Sequence, residues 1–308
     1  MTTRELEGAP AAAAQVARGP SYYVVRVLPL LAVVIVGIGL ALYQQSVPIR
    51  ALFQEFAQGL NSAAFWKAAG VGLFAQVVDG ALGMAYGVTS TSFLLASGVP
   101  PATASASVHI AEVFTTGFSG FSHWKLGNVN KSLFKRLLIP GVIGAVVGAY
   151  IVTSVDGKVI RPYISSYLLL MGLYILLKAF RPIRIQTDPP TYVVPLALTG
   201  GFVDAVGGGG WGPVVTTSLI GSGQDPRRTI GSVNAAEFFL AIAGGISFAI
   251  MGGFTLWTTI AGLIFGGMFA APLAAVLTKH LPAKALLTIV GLLISGLSLW
   301  NLYQALNG

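Results

Sequence analysis

The chain has no cysteine and carries few charges, and each shortage excludes a class of protein. Without cysteine there is no disulfide framework, no thiolate metal site and no thiol nucleophile. Only 9% of the 308 residues are charged, whereas a soluble domain carries about a quarter. The alternating segments of about ten residues that are typical of a transmembrane barrel are also missing. The sequence therefore fits neither a soluble domain nor such a barrel.

Apolar residues take the place of the missing charges. They make up 55% of the chain, and the mean hydropathy is +0.78. These values predict a polytopic helical protein of the plasma (inner) membrane, with the lipid bilayer as its first partner. A formal net charge of +8 is typical of nucleic-acid binding or of basic cytoplasmic loops. In a membrane protein the loops are the favoured interpretation, so we expect no nucleic-acid partner.

The sequence contains an internal duplication. Shifted by 125 positions, residues 79–127 align without a gap with residues 204–252, and 16 of the 49 aligned positions are identical. The identities favour Gly, Pro, Asp and Glu over interchangeable aliphatic residues, which argues against chance. We divide the chain into a disordered cytoplasmic arm, an extra transmembrane helix with its connector, a first transport repeat and a second, inverted repeat. Their bounds are residues 1–25, 26–64, 65–185 and 186–308.

Each repeat begins with an apolar segment that is interrupted by glycine. The arms 65–78 and 88–96 flank the first break, and the arms 193–204 and 214–221 flank the second. All four are shorter than the roughly 20 residues that span a bilayer. They predict two re-entrant or broken helical hairpins, whose irregular backbone must be covered by protein or line a cavity.

The basic residues predict the topology. With a cytoplasmic N-terminus and a retained anchor helix at 27–43, 14 of the 18 Lys and Arg residues fall inside, as the positive-inside rule requires. Each repeat then contributes three full crossings, an odd number, so the repeats are inverted. The expected fold class is an all-α polytopic membrane protein with two inverted repeats, each holding an interrupted hairpin and three transmembrane helices. One extra N-terminal helix precedes them.

Four carboxylates lie deep in apolar segments and form two equivalent pairs: Asp79 with Glu112, and Asp204 with Glu237. An isolated ionised carboxylate is costly in hydrocarbon, so these groups face a cavity, have partners or are protonated. We interpret them as either proton-coupling or structural groups. For the two aspartates, capping of the helix that follows the break is an equally good explanation.

Polar residues share a face of the long helix in each repeat. Ser105, His109 and Glu112 are spaced i, i+4, i+7, and Asn234 and Glu237 occupy the equivalent face in the second copy. Such a stripe is typical of a transport pathway or an interhelical hydrogen-bond seam. His109 and Glu112 alone are a weak metal signal, so no metal and no cofactor are expected.

Glycine-rich breaks expose backbone N–H groups at the positive ends of half-helices, which suits a small anionic substrate. Tyr86 and Trp211 occupy equivalent positions at these breaks and are either cavity walls or packing residues. The candidate substrate-binding residues are Gly83, Tyr86, Gly87, Ser105, His109, Gly208, Gly209, Trp211, Gly212 and Asn234.

The same segments resemble the sulfite exporter TauE/SafE family. The similarity spans about residues 65–305 and is carried by the runs at 79–87, 105–112, 118–123, 207–213 and 231–239. The resemblance implies secondary export of sulfite or an organosulfonate such as sulfoacetate, with alternating access and coupling to protons as expectations. It does not cover the arm and first helix.

Two other functions stay open from the residues alone: a passive anion channel and an intramembrane enzyme using His109 and the carboxylates. A duplicated, inverted site argues against the enzyme, because catalysis needs one asymmetric constellation. No G-x-x-x-x-G-K-[ST] run occurs, which argues against ATP-driven transport by this chain. The sequence leaves the oligomeric state open and admits a homo-oligomer.

Overall fold

The computed structural model describes residues 54, 57–180, 191–252, 256–280 and 283–307. The predicted arm 1–25 and the predicted first helix 27–43 lie outside the described residues. In the described ranges every regular element is a helix and no strand is present. The chain is therefore all-helical there, as the composition predicts.

The helices follow one another in two series with matching bounds. The first series is α1 Ala63–Leu82, α2 Tyr86–Ala96, α3 Pro101–Lys125, α4 Lys131–Ser154 and α5 Gly157–Lys178. The second is α6 Val193–Gly207, the π-helical turn Gly212–Thr216 with α7 Thr217–Gly221, α8 Pro226–Met251, α9 Trp257–His280 and α10 Ala283–Asn307. The shift of 125 residues found in the sequence thus also relates the helix boundaries to within one residue, except that α6 starts five residues later and α10 ends four residues later than the shift gives.

Local sequence signals explain where the helices start. Pro101 and Pro226 occupy the first position of α3 and α8, where the missing N–H of proline costs nothing. Asn130 caps α4 by accepting from the amides of Ser132 and Leu133, which satisfies donors that have no partner inside the helix.

Glycine in the left-handed conformation interrupts both hairpins. Gly83 ends α1 with φ 67° and ψ 33°, and Gly208 ends α6 with φ 64° and ψ 29°. This conformation is unfavourable for residues with a Cβ atom, so glycine is the residue of choice. The two breaks share this left-handed glycine but then differ, since the next residue with positive φ is Ala85 at 87° in the first break and Gly209 at 153° in the second. Their second halves differ as well, because α2 is α-helical and its counterpart begins as a π-helical turn.

The packing exchanges helices between the two series. α1 packs on α9 and α4 on α6, while α3 packs on α8 and α5 on α10. If the two series are exchanged, the pair α1–α9 becomes the pair α6–α4, while the pairs α3–α8 and α5–α10 stay as they are. The halves therefore interlock rather than stand side by side.

Four described helices are long and apolar enough to cross a membrane: Lys131–Ser154, Gly157–Lys178, Pro226–Met251 and Lys284–Asn307. On α4, Ile139, Ile143, Val147 and Tyr150 are exposed along one face, as expected of a surface in contact with lipid. α3 is more polar because it packs between α8 and α9, where protein rather than lipid surrounds its side chains. Seven full crossings stay a prediction.

Candidate functional site

The two helix breaks cross at the centre of the described structure. A Cβ atom added to Gly87 would lie 2.6 Å from Cα of Gly209, and one added to Gly212 would lie 2.8 Å from Cα of Met84. Gly87 and Gly212 are equivalent positions of the two repeats, and so are Met84 and Gly209. Backbone therefore touches backbone at two related points, with room for only hydrogen at Gly87, Gly209 and Gly212.

Each break is held by the aspartate that precedes it. One carboxylate oxygen of Asp204, Oδ1, accepts from the amide of Trp211 at 2.9 Å. The amide of Tyr86 is in the same way the hydrogen-bond partner of the Asp79 carboxylate. Both aspartates thus satisfy an amide at the start of the second half-helix, which is the capping role that the sequence allowed. These two amides are already occupied and are not open to a substrate anion.

His109 on α3 faces Asp204 on α6. Its Nε2 atom lies 3.4 Å from Oδ2 of Asp204, and both side chains are almost completely buried. Nδ1 lies 2.9 Å from the carbonyl oxygen of Ser105. A carbonyl only accepts, so Nδ1 carries a proton and donates it there. The Ser105 hydroxyl in turn donates to the carbonyl of Ala205 at 2.6 Å and ties α3 to the end of α6.

The imidazole of His109 fits into a place left open by a glycine. A Cβ atom added to Gly244 on α8 would lie 2.6 Å from Cδ2 of His109. The ring of Phe248, one turn further along α8, has its centroid 5.4 Å from that of the imidazole. Two neighbouring turns of α8 therefore confine the ring, and any larger residue at 244 would displace it.

The four carboxylates predicted from the sequence interact with one another, and two of them, Glu112 and Asp204, lie next to this histidine. Glu112 interacts electrostatically with Asp204, Glu237 and Asp79, and Glu237 interacts with Asp79 and Asp204. All four side chains are buried. Oε2 of Glu112 has no hydrogen-bond partner, and neither has Nε2 of His109. Because the negative charges sit close together in protein, the cluster must hold protons or another cation.

Asn234 takes the place of His109 in the second repeat. Its Nδ2 donates to the hydroxyl of Ser119 on α3 at 2.7 Å, while its buried Oδ1 has no partner. Ser119 is equivalent to Gly244 in the 125-residue alignment. The two repeats therefore differ at both members of this contact: Gly244 faces His109, and Ser119 faces Asn234.

The aromatic candidates act as packing residues in this structure. Trp211 is fully buried, and its indole N–H donates to the carbonyl of Val233 at 3.2 Å. The hydroxyl of Tyr86 donates to the carbonyl of Leu263 at 3.3 Å. Gly208 accepts a hydrogen bond from the Thr91 hydroxyl through its carbonyl oxygen. These two aromatic rings are therefore packed against protein, and neither borders the cavity described below.

Lys178 is a site residue that the sequence pattern does not single out, because it counts there only as one of the 14 basic residues on the cytoplasmic side. It ends α5, and its half-buried side chain reaches the first break. Nζ donates to the hydroxyl of Thr217 at 3.1 Å and lies 3.9 Å from Sδ of Met84. Its position at the end of an apolar helix, where long basic side chains often turn along the helix, is the signal that identifies it.

One cavity lies away from the cluster. It measures about 300 Å³ and opens between α1, α2 and α10, with mostly apolar walls. The lining residues are Lys67, Gly70, Val71, Phe74, Thr89, Phe93, Leu293 and Leu297. None of the four carboxylates borders this cavity, and all four side chains are buried.

Comparison with known proteins places the chain in a family. The family described as Sulfite exporter TauE/SafE matches residues 68–300. The probable membrane transporter protein YtnM of Bacillus subtilis is 45% identical over 230 residues, which cover 72% of this chain and 77% of that protein. The probable membrane transporter protein ORF9 of Sinorhizobium sp is 28% identical over 132 residues, which cover 41% and 49% of the two chains.

No solved structure matches this chain. The resemblance read from the sequence is confirmed by the family match and by the Bacillus relative, and both point to a multi-pass membrane transporter. The chain belongs to the TauE/SafE sulfite exporter family.

Proposed function

We propose that this protein exports a small sulfur oxyanion, sulfite or an organosulfonate such as sulfoacetate, by alternating access. The observation that carries the proposal is the crossing of two equivalent helix breaks at a buried cluster of charged side chains. Broken helices that meet at the interface of two repeats are typical of secondary transporters. The family supplies the substrate class.

Alternating access is supported by the interlocked packing. α3 and α8, which carry Glu112 and Glu237, pack directly against each other, and α1 and α6 are each held by a helix of the other repeat. If the repeats lie inverted in the membrane, a shift of one relative to the other opens the centre to one side and closes it to the other. The buried cluster corresponds to the closed stage of that cycle.

Lys178 gives the anion its first favourable contact. Its ammonium group lies beside the first break and the hydroxyl of Thr217, which together offer a charged donor and a neutral donor to a sulfonate or sulfite oxygen. The predicted topology puts this end of α5 on the cytoplasmic side, where an exported substrate enters. We therefore place substrate entry at Lys178 rather than at the amides that Asp79 and Asp204 occupy.

The carboxylate cluster couples the anion to a cation. Four carboxylates near one path repel an oxyanion unless protons or another cation neutralise them. Movement of the anion is thereby linked to movement of positive charge, and protons are our first candidate.

Flux into proteoliposomes tests this function. Purified protein is reconstituted, and uptake of radiolabelled sulfite and sulfoacetate is measured with and without an imposed pH gradient, with protein-free liposomes as the control. We expect saturable uptake that a pH gradient drives above equilibrium. Uptake that only equilibrates and does not saturate would instead show a passive channel, and absence of uptake for both anions would overturn the substrate class.

A further inference from the structure

The electron-rich atoms of His109, Glu112 and Asp204 converge on one buried point. One ligand atom from each residue lies within 4.8 Å of the other two. The three side chains come from two helices, α3 and α6, and are 1% exposed or less. In the described part of the chain, Nε2 of His109 and Oε2 of Glu112 are buried and have no hydrogen-bond partner.

The hydrogen bonds around these atoms fix which ones point at the shared space. Nδ1 of His109 donates to the Ser105 carbonyl, so the free lone pair of a neutral imidazole lies on Nε2. Oδ1 of Asp204 accepts from the Trp211 amide, which leaves Oδ2 facing Nε2 at 3.4 Å. Nε2 of a neutral His109 and Oδ2 of Asp204 are both acceptors. They attract each other only if a proton on Nε2 or a cation between the two atoms supplies a positive charge.

We propose that His109, Glu112 and Asp204 bind one divalent first-row transition-metal cation. An imidazole nitrogen with two carboxylate oxygens is a donor set that such ions favour. The supporting contacts are those that metal ligands usually have, since the second nitrogen of the histidine donates to a backbone carbonyl and the carboxylate is itself hydrogen-bonded. Two negative charges and a divalent cation also leave the buried triad neutral.

The distances fit after a closure of the site. Ligand atoms around one such ion, at about 2.0–2.2 Å each, lie about 3.3–3.6 Å apart in a tetrahedral site and about 4.4 Å apart only when they are trans. The observed limit of 4.8 Å therefore needs a movement of up to about an ångström. Gly244 and Phe248 hold the imidazole, so the flexible Glu112 side chain supplies this movement.

The second repeat explains why only one such site is expected. Its equivalent residues are Asn234, Glu237 and Asp79, in which an amide replaces the imidazole. A neutral amide is a weaker ligand for these ions than imidazole. The metal site therefore belongs to α3 of the first repeat and the aspartate of the second break, even though the carboxylates are duplicated.

Binding of Co²⁺ to the purified protein tests the proposal directly. The chain has no cysteine and three histidines, so an imidazole–carboxylate spectrum has few sources once any affinity tag is removed. After chelator treatment and dialysis in detergent, Co²⁺ is titrated and its visible d–d absorption recorded, with Zn²⁺ as competitor. We expect one equivalent to bind, and His109→Asn to weaken binding at least about tenfold. His123→Asn, which lies outside the triad, leaves binding unchanged.

A second readout separates loss of ligand from loss of fold. Zn²⁺ should raise the thermal unfolding temperature of the wild-type protein and of His123→Asn, because binding only the native state stabilises it. His109→Asn and Glu112→Gln should show no such rise while giving monodisperse protein. The proposal would be overturned if the wild-type protein did not bind Co²⁺. It would also be overturned if His109→Asn and Glu112→Gln both bound Co²⁺ with the affinity of the wild-type protein.

Discussion

His109 and Asn234 stand at equivalent points of the two repeats, and their surroundings differ in one matched way. Gly244 leaves room for the imidazole, whereas Ser119, its counterpart, fills that room and accepts a hydrogen bond from Asn234. The carboxylates next to them, Glu112 and Glu237, are the same in both repeats. The duplication has thus kept the buried carboxylates and changed the side chains beside them, so one repeat can specialise while both retain the same acidic pair.

The same asymmetry extends to the substrate path. Lys178 reaches the first break, while the residue 125 positions on, Tyr303, is 60% exposed on the outer face of α10. The first repeat therefore contributes both the imidazole and the nearby ammonium group. The predictions below test this division of labour between the repeats.

The largest effect is expected where the repeats touch. Gly209→Val places a Cβ atom into the backbone of Gly87 and Val88 and forces a β-branched residue to φ 153°. Overpacking and backbone strain each cost about 1–3 kcal/mol, and their sum reaches the lower end of the roughly 5–15 kcal/mol by which domains are stable. We expect loss of monodisperse protein in size-exclusion chromatography.

Two controls sharpen this comparison. Met84→Leu changes the equivalent residue of the first repeat with little change in volume and should cost under about 1.5 kcal/mol. Gly70→Ala adds a Cβ atom with no neighbour within 4 Å and should be neutral or slightly stabilising. A Gly209→Val protein that unfolds at the wild-type temperature would show that the breaks do not cross as described.

Neutralising the glutamates should affect transport unequally. Glu112→Gln removes a charge beside the imidazole of His109. Glu237→Gln removes a charge beside the amide of Asn234, and an amide cannot carry a proton as the imidazole can. We expect the initial export rate in proteoliposomes to fall about tenfold in Glu112→Gln and clearly less in Glu237→Gln. Equal rates in the two variants and the wild-type protein would make both glutamates structural.

Removing the ammonium group should weaken anion binding without closing the path. Lys178→Gln keeps a donor next to Thr217 but loses the charge, so the apparent affinity for sulfite should fall about fivefold, as expected for one charge-assisted hydrogen bond. The maximal rate should change little. Lys131→Gln, at the exposed start of α4, is the matched control, and a similar loss there would assign the effect to general surface charge.

The duplicated residues made much of this arrangement predictable, and the unpaired ones did not. Asp79, Glu112, Asp204 and Glu237 could be found from sequence because burying a carboxylate in an apolar segment is costly and rare. The contact between His109 and Asp204 could not, since the two residues are 95 positions apart and belong to different repeats. The interrupted helices followed from glycine and arm length, but which amides the aspartates occupy depends on the crossing itself.

The smallest expected effect is a gain, and it tests whether the two regions differ only in the neutral groups. Asn234→His together with Ser119→Gly gives the second repeat the imidazole and the space that the first repeat has. If Glu237 and Asp79 are placed like Glu112 and Asp204, the double variant should bind a second equivalent of Co²⁺, with the same type of d–d spectrum as the first.

The single variants are the controls. Asn234→His alone should bind the second equivalent weakly, because the Ser119 side chain would collide with the new ring. The equivalent collision in the first repeat is that of a Cβ atom on Gly244, which would lie 2.6 Å from the His109 ring. Ser119→Gly alone loses only the hydrogen bond to Asn234, worth about 1 kcal/mol, and should bind one equivalent. A double variant that folds, keeps the first site and gains nothing would mean that the two carboxylate pairs differ in geometry as well, and that the specialisation of the first repeat goes beyond His109 and Gly244.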